Sequence, residues 1–164
     1  MEFKVNCQLS KVKCEIQGFS LLELLIVVGI VAVISVAGVA SYRSFGKNVQ
    51  IGGIARTMIA DIRQAQANAM IGKNGYKWGV HIVNSNDDYY EIFSTPDVYA
   101  NASTTVMSTT TLSSGISFSD PASGNSKDII FSKISGTTTA TSTTLISENL
   151  IKTINISAIG TIGE

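Results

Sequence analysis

Gly18-Phe19-Ser20-Leu21-Leu22-Glu23-Leu24-Leu25-Ile26-Val27-Val28-Gly29 opens an apolar run that continues to Ala40, and residues 19–40 include only Ser20, Glu23 and Ser35 as polar side chains. A helix rises ~1.5 Å per residue and a bilayer core is ~30 Å thick, so about 20 apolar residues suffice to cross it. The run predicts a membrane-inserted helix. Glu23 does not fit an ordinary anchor. A carboxylate in a membrane helix costs roughly 2.5–3.5 kcal/mol at the centre, less near an end, and marks a functional pairing.

The ordered set Gly18, Phe19, Ser20, Leu21, Leu22 and Glu23, placed before an unbroken apolar helix, resembles the class III signal of type IV pilins and type II secretion pseudopilins. The resemblance implies cleavage by a prepilin peptidase between Gly18 and Phe19, N-methylation of Phe19, and an assembly role for Glu23 facing the Phe19 amine of a neighbouring subunit. Elementary electrostatics favours the same pair. Cleavage creates an ammonium at Phe19, the positive end of a helix stabilises an acid in its first turns, and an amine and a carboxylate in a low dielectric offset each other's burial cost. The chain departs from the family pattern at Glu15-Ile16-Gln17, where a basic residue usually lies close to the glycine; Lys11 and Lys13 are the nearest cations.

The chain has 164 residues, 15% of them charged, with no net charge. Loss of residues 1–18 removes Lys4, Lys11, Lys13, Glu2 and Glu15 and leaves nine basic and ten acidic residues. That balance argues against nucleic acid as a partner, which needs clustered Lys and Arg. Both cysteines, Cys7 and Cys14, precede the cleavage site, so the cleaved chain cannot form the C-terminal disulfide loop of many major pilins.

From Ser41 the pattern becomes that of an amphipathic helix, with Val49, Ile51, Ile54, Ala55, Met58, Ile62, Ala65 and Ala69 near a 3.6-residue period. Gly46, Gly52 and Gly53 each weaken it by up to ~1 kcal/mol, which predicts a bend or local melting, and the helix is expected to end near Gly72. Beyond it, residues 77–83 and 89–94 read as a hairpin around the polar turn 84–88. The Ser/Thr-rich residues 100–128 are expected to hold strands near 104–112 and 116–119, and residues 128–156 read as a three-stranded meander.

The expected fold is therefore α+β, a pilin-like lollipop in which a long N-terminal helix, membrane half plus amphipathic half, packs on an antiparallel sheet domain. Its segments are a cleaved leader 1–18, a transmembrane and assembly half 19–40, an amphipathic half 41–72 and a β-rich globular domain 73–164. The order of elements and the closing Ile-Ser-Ala-Ile-Gly-Thr-Ile resemble GspH/FimT-like minor pseudopilins.

Catalysis finds no foothold, because the cleaved chain has one histidine, His81, in an expected strand, and no cysteine. Asp87, Asp88 and Glu91 have the composition of a calcium site, but such sites need six or more oxygen ligands and adjacent acids in a turn are usually solvated. No metal or cofactor is expected. The implied partners are a prepilin peptidase, other pilin or pseudopilin subunits and the cytoplasmic membrane. The implied localisation is a single-pass bacterial cytoplasmic membrane protein, leader inside, later carried into a pilus or pseudopilus. The alternative reading is a membrane-anchored surface binding module, an adhesin or DNA-capturing tip subunit.

Overall fold

Alternating apolar and polar residues set Lys77–Val83 (β1) and Tyr89–Thr95 (β2) side by side as an antiparallel hairpin, with Val80 opposite Ile92 and His81 opposite Glu91. The computed structural model describes residues 19–164, with side chains described over 19–35 and 45–164. Six further strands follow: β3 (Thr105–Thr111), β4 (Ser117–Asp120), β5 (Ser126–Phe131), β6 (Thr141–Ser147), β7 (Leu150–Ile156) and the short β8 (Ile162–Gly163). They form two four-stranded sheets, ordered β3-β2-β1-β5 and β4-β6-β7-β8, and every pairing is antiparallel.

The helix α1 covers Leu21–Met70, and the chain divides within it into two units, Met1–Tyr42 and Arg43–Glu164. In the second unit α1 buries Ile51, Ala55, Met58, Ile62, Ala65 and Ala69 completely, one stripe at helical spacing. That stripe joins Trp78, Val80, Ile82, Ile129 and Phe131 of one sheet and Leu145, Ile154 and Ile156 of the other in one core. Val49, expected on the same face, is 59% exposed instead. α1 is helical through Gly46, Gly52 and Gly53, so the local melting expected there is absent. It stops where Gly72 takes the left-handed conformation (φ 64°) and its N–H donates to Ala69 O at 3.0 Å, the kind of ending glycine permits without strain.

Two buried side chains of the β1–β2 turn tie the sheets together. Asn84 Nδ2 donates to Phe118 O (2.8 Å) and Pro121 O (2.7 Å), and Asp88 accepts from Phe118 N (2.6 Å) and Ser85 N (2.8 Å). Each polar group removed from water there keeps a partner, without which its burial would be costly.

The lollipop expectation is corrected on two counts. The strands do not make one sheet: residues 128–131 belong to β5, which pairs with β1, whereas β6 and β7 pair in the second sheet. No tight turn joins β5 to β6, so these strands have no hairpin geometry to hold them together; the connection between them bends back over the end of α1, where Ile134 N–H donates to Ala69 O. The globular unit is mostly β. The membrane assignment is corrected as well. Among the described residues no helix is long and apolar enough to cross a membrane. The transmembrane segment and the single-pass localisation therefore fall. The leader, with Cys7, Cys14 and Gly18, lies outside the described residues.

Candidate functional site

Phe19 lies just ahead of α1 and is 81% exposed, and Glu23 stands exposed in the first turn of the helix, where the unsatisfied N–H groups favour a carboxylate. From Leu21 to Ile34, Leu, Ile and Val side chains point to every side of the helix and each is at least half exposed. Ser35 is the other polar residue within that part of α1, and its hydroxyl is spent on Val31 O at 2.7 Å inside the helix. Residues 21–35 thus present an all-round apolar rod whose charged group is Glu23. A helix apolar on all faces has to be covered by something, because water gains nothing from it.

The second unit contains a polar cluster on the sheet face turned away from α1. Trp78, Val80 and Ile82 enter the core, so the strand period sends Gly79 and His81 to the opposite face. Gly79 is needed there: a Cβ at this position would lie 2.9 Å from the Phe93 ring and closer still to Ile129 O. His81 Nδ1 meets Asp128 Oδ1 at 2.5 Å across β1 and β5. The Tyr99 ring stacks on the imidazole at 3.7 Å between centroids, 5° from parallel, and meets Phe93 edge-on at 4.8 Å. The Tyr99 hydroxyl donates to Glu91 at 2.6 Å, and Thr109 donates to the other Glu91 oxygen at 3.0 Å. Burial, and then the bond to Glu91, pushes the Tyr99 hydroxyl well above its ordinary range.

This arrangement orients an imidazole against a carboxylate and covers it with an aromatic ring, leaving His81 8% exposed. The cluster clamps the loop after β2 onto three strands and holds no uncovered nucleophile. Sequence patterning puts His81 on a strand but misses its partners. Asp128 appears there as part of a separate meander, and Tyr99 falls between expected strands with no role assigned. The acids Asp87, Asp88 and Glu91 are not brought together: Asp88 is buried on Phe118, Asp87 is exposed, and Glu91 serves Tyr99 and Thr109. Among the described residues no group of His, Cys, Asp and Glu could hold a metal ion.

An open polar cleft of about 930 Å³ lies beside the β1–β2 turn, lined by Asp87, Ser113, Ser117, Ile146 and Glu148 as well as by Asn84 and Asp88. Asn84 and Asp88 are engaged in holding the sheets together. No family model matches the chain, and no curated protein and no solved structure matches it.

Proposed function

We propose that the chain is a structural subunit of a filament of the type IV pilus or type II secretion pseudopilus kind. In this reading a prepilin peptidase cuts after Gly18, Phe19 becomes the methylated N-terminus, and the subunit is a minor, GspH/FimT-like one. The observation that carries the reading is the exposed apolar rod at the start of α1 with Glu23 in its first turn. Packing such rods together removes apolar surface from water at about 25 cal/mol per Å². In the dry contact so made, Glu23 faces the new ammonium of a neighbouring Phe19 and sets the register of each added subunit. The absence of a cysteine after Gly18 supports a minor rather than a major subunit.

The test is co-expression of the full chain with a prepilin peptidase, followed by intact-mass and N-terminal analysis. The expected product begins at Phe19, with or without one methyl group, and enters sedimentable assemblies. A chain that still begins at Met1, beside a control substrate that is cut, overturns the reading.

A further inference from the structure

β3 is the outer strand on one side of its sheet, and its seven residues are exposed except Thr110, which is half-buried. The ladder to β2 decides which of its backbone groups stay free. Leu112 N–H donates to Asp88 O at 2.8 Å, one step beyond the Tyr89–Thr111 pair, and an antiparallel ladder alternates bonded and unbonded pairs. Ser108 and Thr110 therefore turn their N–H and C=O groups towards β2, and Thr109 and Thr111 turn theirs outward. Among the described residues no backbone group from outside the sheet bonds to Thr109 or Thr111.

An open edge invites pairing with the same edge of another copy, and proteins guard against it with charge, proline or a short strand. The other edges of this unit carry such guards. β5 has Lys127 and Asp128, β4 is four residues long and runs into Pro121, β8 has two residues, and the part of β7 that β8 leaves uncovered has Lys152. β3 reads Thr-Val-Met-Ser-Thr-Thr-Thr, with neither charge nor proline. Its one irregularity is the register shift that leaves Met107 without a partner, and it lies ahead of a regular stretch from Ser108 to Thr111. Guards against self-pairing at every other edge, and none here, point to a like strand as the occupant.

The side chains of that stretch suit a copy of themselves. Cross-strand threonines stabilise antiparallel pairs, and this fold already uses one: the Thr144 and Thr153 hydroxyls bond across β6 and β7 at 3.2 Å. Two copies of β3 set antiparallel about Thr110 bring the outward groups of Thr109 in one onto those of Thr111 in the other. Thr110 then stands opposite its own copy, in an unbonded pair, and no like charges meet. On the α1 side a groove of about 440 Å³ runs beside β3, lined by Gln64, Asn68, Trp78, Ile92 and Met107. An added strand sends alternate side chains to that face, where the groove receives them.

We propose that β3 pairs with β3 of a second copy of this chain, antiparallel and centred on Thr110. The same strand is offered and received, so the contact is isologous and closes on a dimer. A contact that closes does not repeat along a filament, so this one stands apart from the filament reading and does not rest on it.

The experiment uses full chains in which Cys7 and Cys14 are replaced by serine, held in a mild detergent that covers the apolar rod. Unbonded antiparallel partners stand about 4.5 Å apart between Cα atoms, within disulfide range. Thr110→Cys should therefore give a disulfide-linked dimer on mild oxidation, and Ser126→Cys, on the opposite edge of the same sheet, should give several-fold less. Equal yields from the two, or no dimer from Thr110→Cys, overturn the pairing. Proline supplies a second readout that needs no cysteine. Thr109 N–H faces outward, so Thr109→Pro keeps the ladder to β2 and removes a donor to the partner. Thr109→Val loses the same hydroxyl bond to Glu91 and keeps that N–H. Sedimentation should find Thr109→Val dimeric and Thr109→Pro associating at least about tenfold more weakly, since the two-fold removes the bond twice. Equal association by the two variants overturns the proposal, and a Thr109→Pro chain that fails to fold leaves the decision to the disulfide yields.

Discussion

The Tyr90 hydroxyl donates a 2.6 Å hydrogen bond to Asp61 Oδ2, joining β2 to the middle of α1. Tyr90 is 1% exposed, and its ring belongs to the core that α1 shares with both sheets. Burial first, and then the bond to and charge of Asp61, pushes the hydroxyl well above its ordinary range.

Alkaline stability follows from that pair. The folded chain keeps the Tyr90 proton above pH 10, the ordinary tyrosine value, while the unfolded chain loses it. The stabilisation is therefore complete below pH 10 and is lost as the pH rises beyond it, by no more than about 1.4 kcal/mol per pH unit for each such tyrosine. Tyr99 acts in the same direction. Urea unfolding across this range should show the midpoint falling in the wild type and falling less steeply in Tyr90→Phe. Equal slopes for the two proteins would remove Tyr90 as the cause.

Tyr99 does two separable things to the loop it anchors. Tyr99→Phe keeps the ring on His81 and loses the hydroxyl bond to Glu91, at a cost of about 1 kcal/mol. Tyr99→Ala loses the stack and the Phe93 contact as well and should cost roughly 2–3 kcal/mol. Chemical denaturation gives both values, and histidine modification rates report the uncovering of His81, which should be fast in Tyr99→Ala only.

What the sequence made legible was local. The β1–β2 hairpin shows in its alternation and polar turn, and the buried stripe of α1 shows in the spacing of Ile51, Ala55, Met58 and Ile62. The division into two sheets does not show, because it depends on β5 crossing to β1, a contact between residues 78 and 131 that no local signal encodes. The His81 cluster was hidden for the same reason: Asp128 reaches His81 only through that crossing. The apolar run at residues 19–40 was read as a membrane span from its length, and that assignment fails because no helix among the described residues is long and apolar enough to cross a membrane.

Gln66 holds two loops against the end of α1 with a single amide, and Gly160 leaves it the space. In Gly160 the φ is 86°, and a Cβ would collide with Gln66 Nε2 and stand 2.5 Å from Gly136 O. Gln66→Ala strips two carbonyls of their donor and should cost about 1–3 kcal/mol. Gly160→Ala adds left-handed strain to the collision and should cost roughly 2–4 kcal/mol. If thermal unfolding ranks Gly160→Ala as the milder change, the loop moves freely and the clamp is not what fixes it.

Glu23 offers the cleanest separation of folding from assembly. It is exposed, in the unit that does not contain the hydrophobic core, so Glu23→Gln should leave the unfolding of the globular unit within about 0.5 kcal/mol of the wild type. The amide keeps the size of the side chain and removes the charge that the proposed filament sets against the Phe19 ammonium. Peptidase processing should proceed, because Glu23 lies four residues beyond Phe19 and the substitution keeps its size, while sedimentable assembly should drop at least tenfold, since an unpartnered ammonium in a dry contact is costly. Equal assembly by Glu23→Gln and wild type, with both starting at Phe19, would show that the apolar rod packs without an ionic register, and the role given to Glu23 would pass to side-chain shape alone.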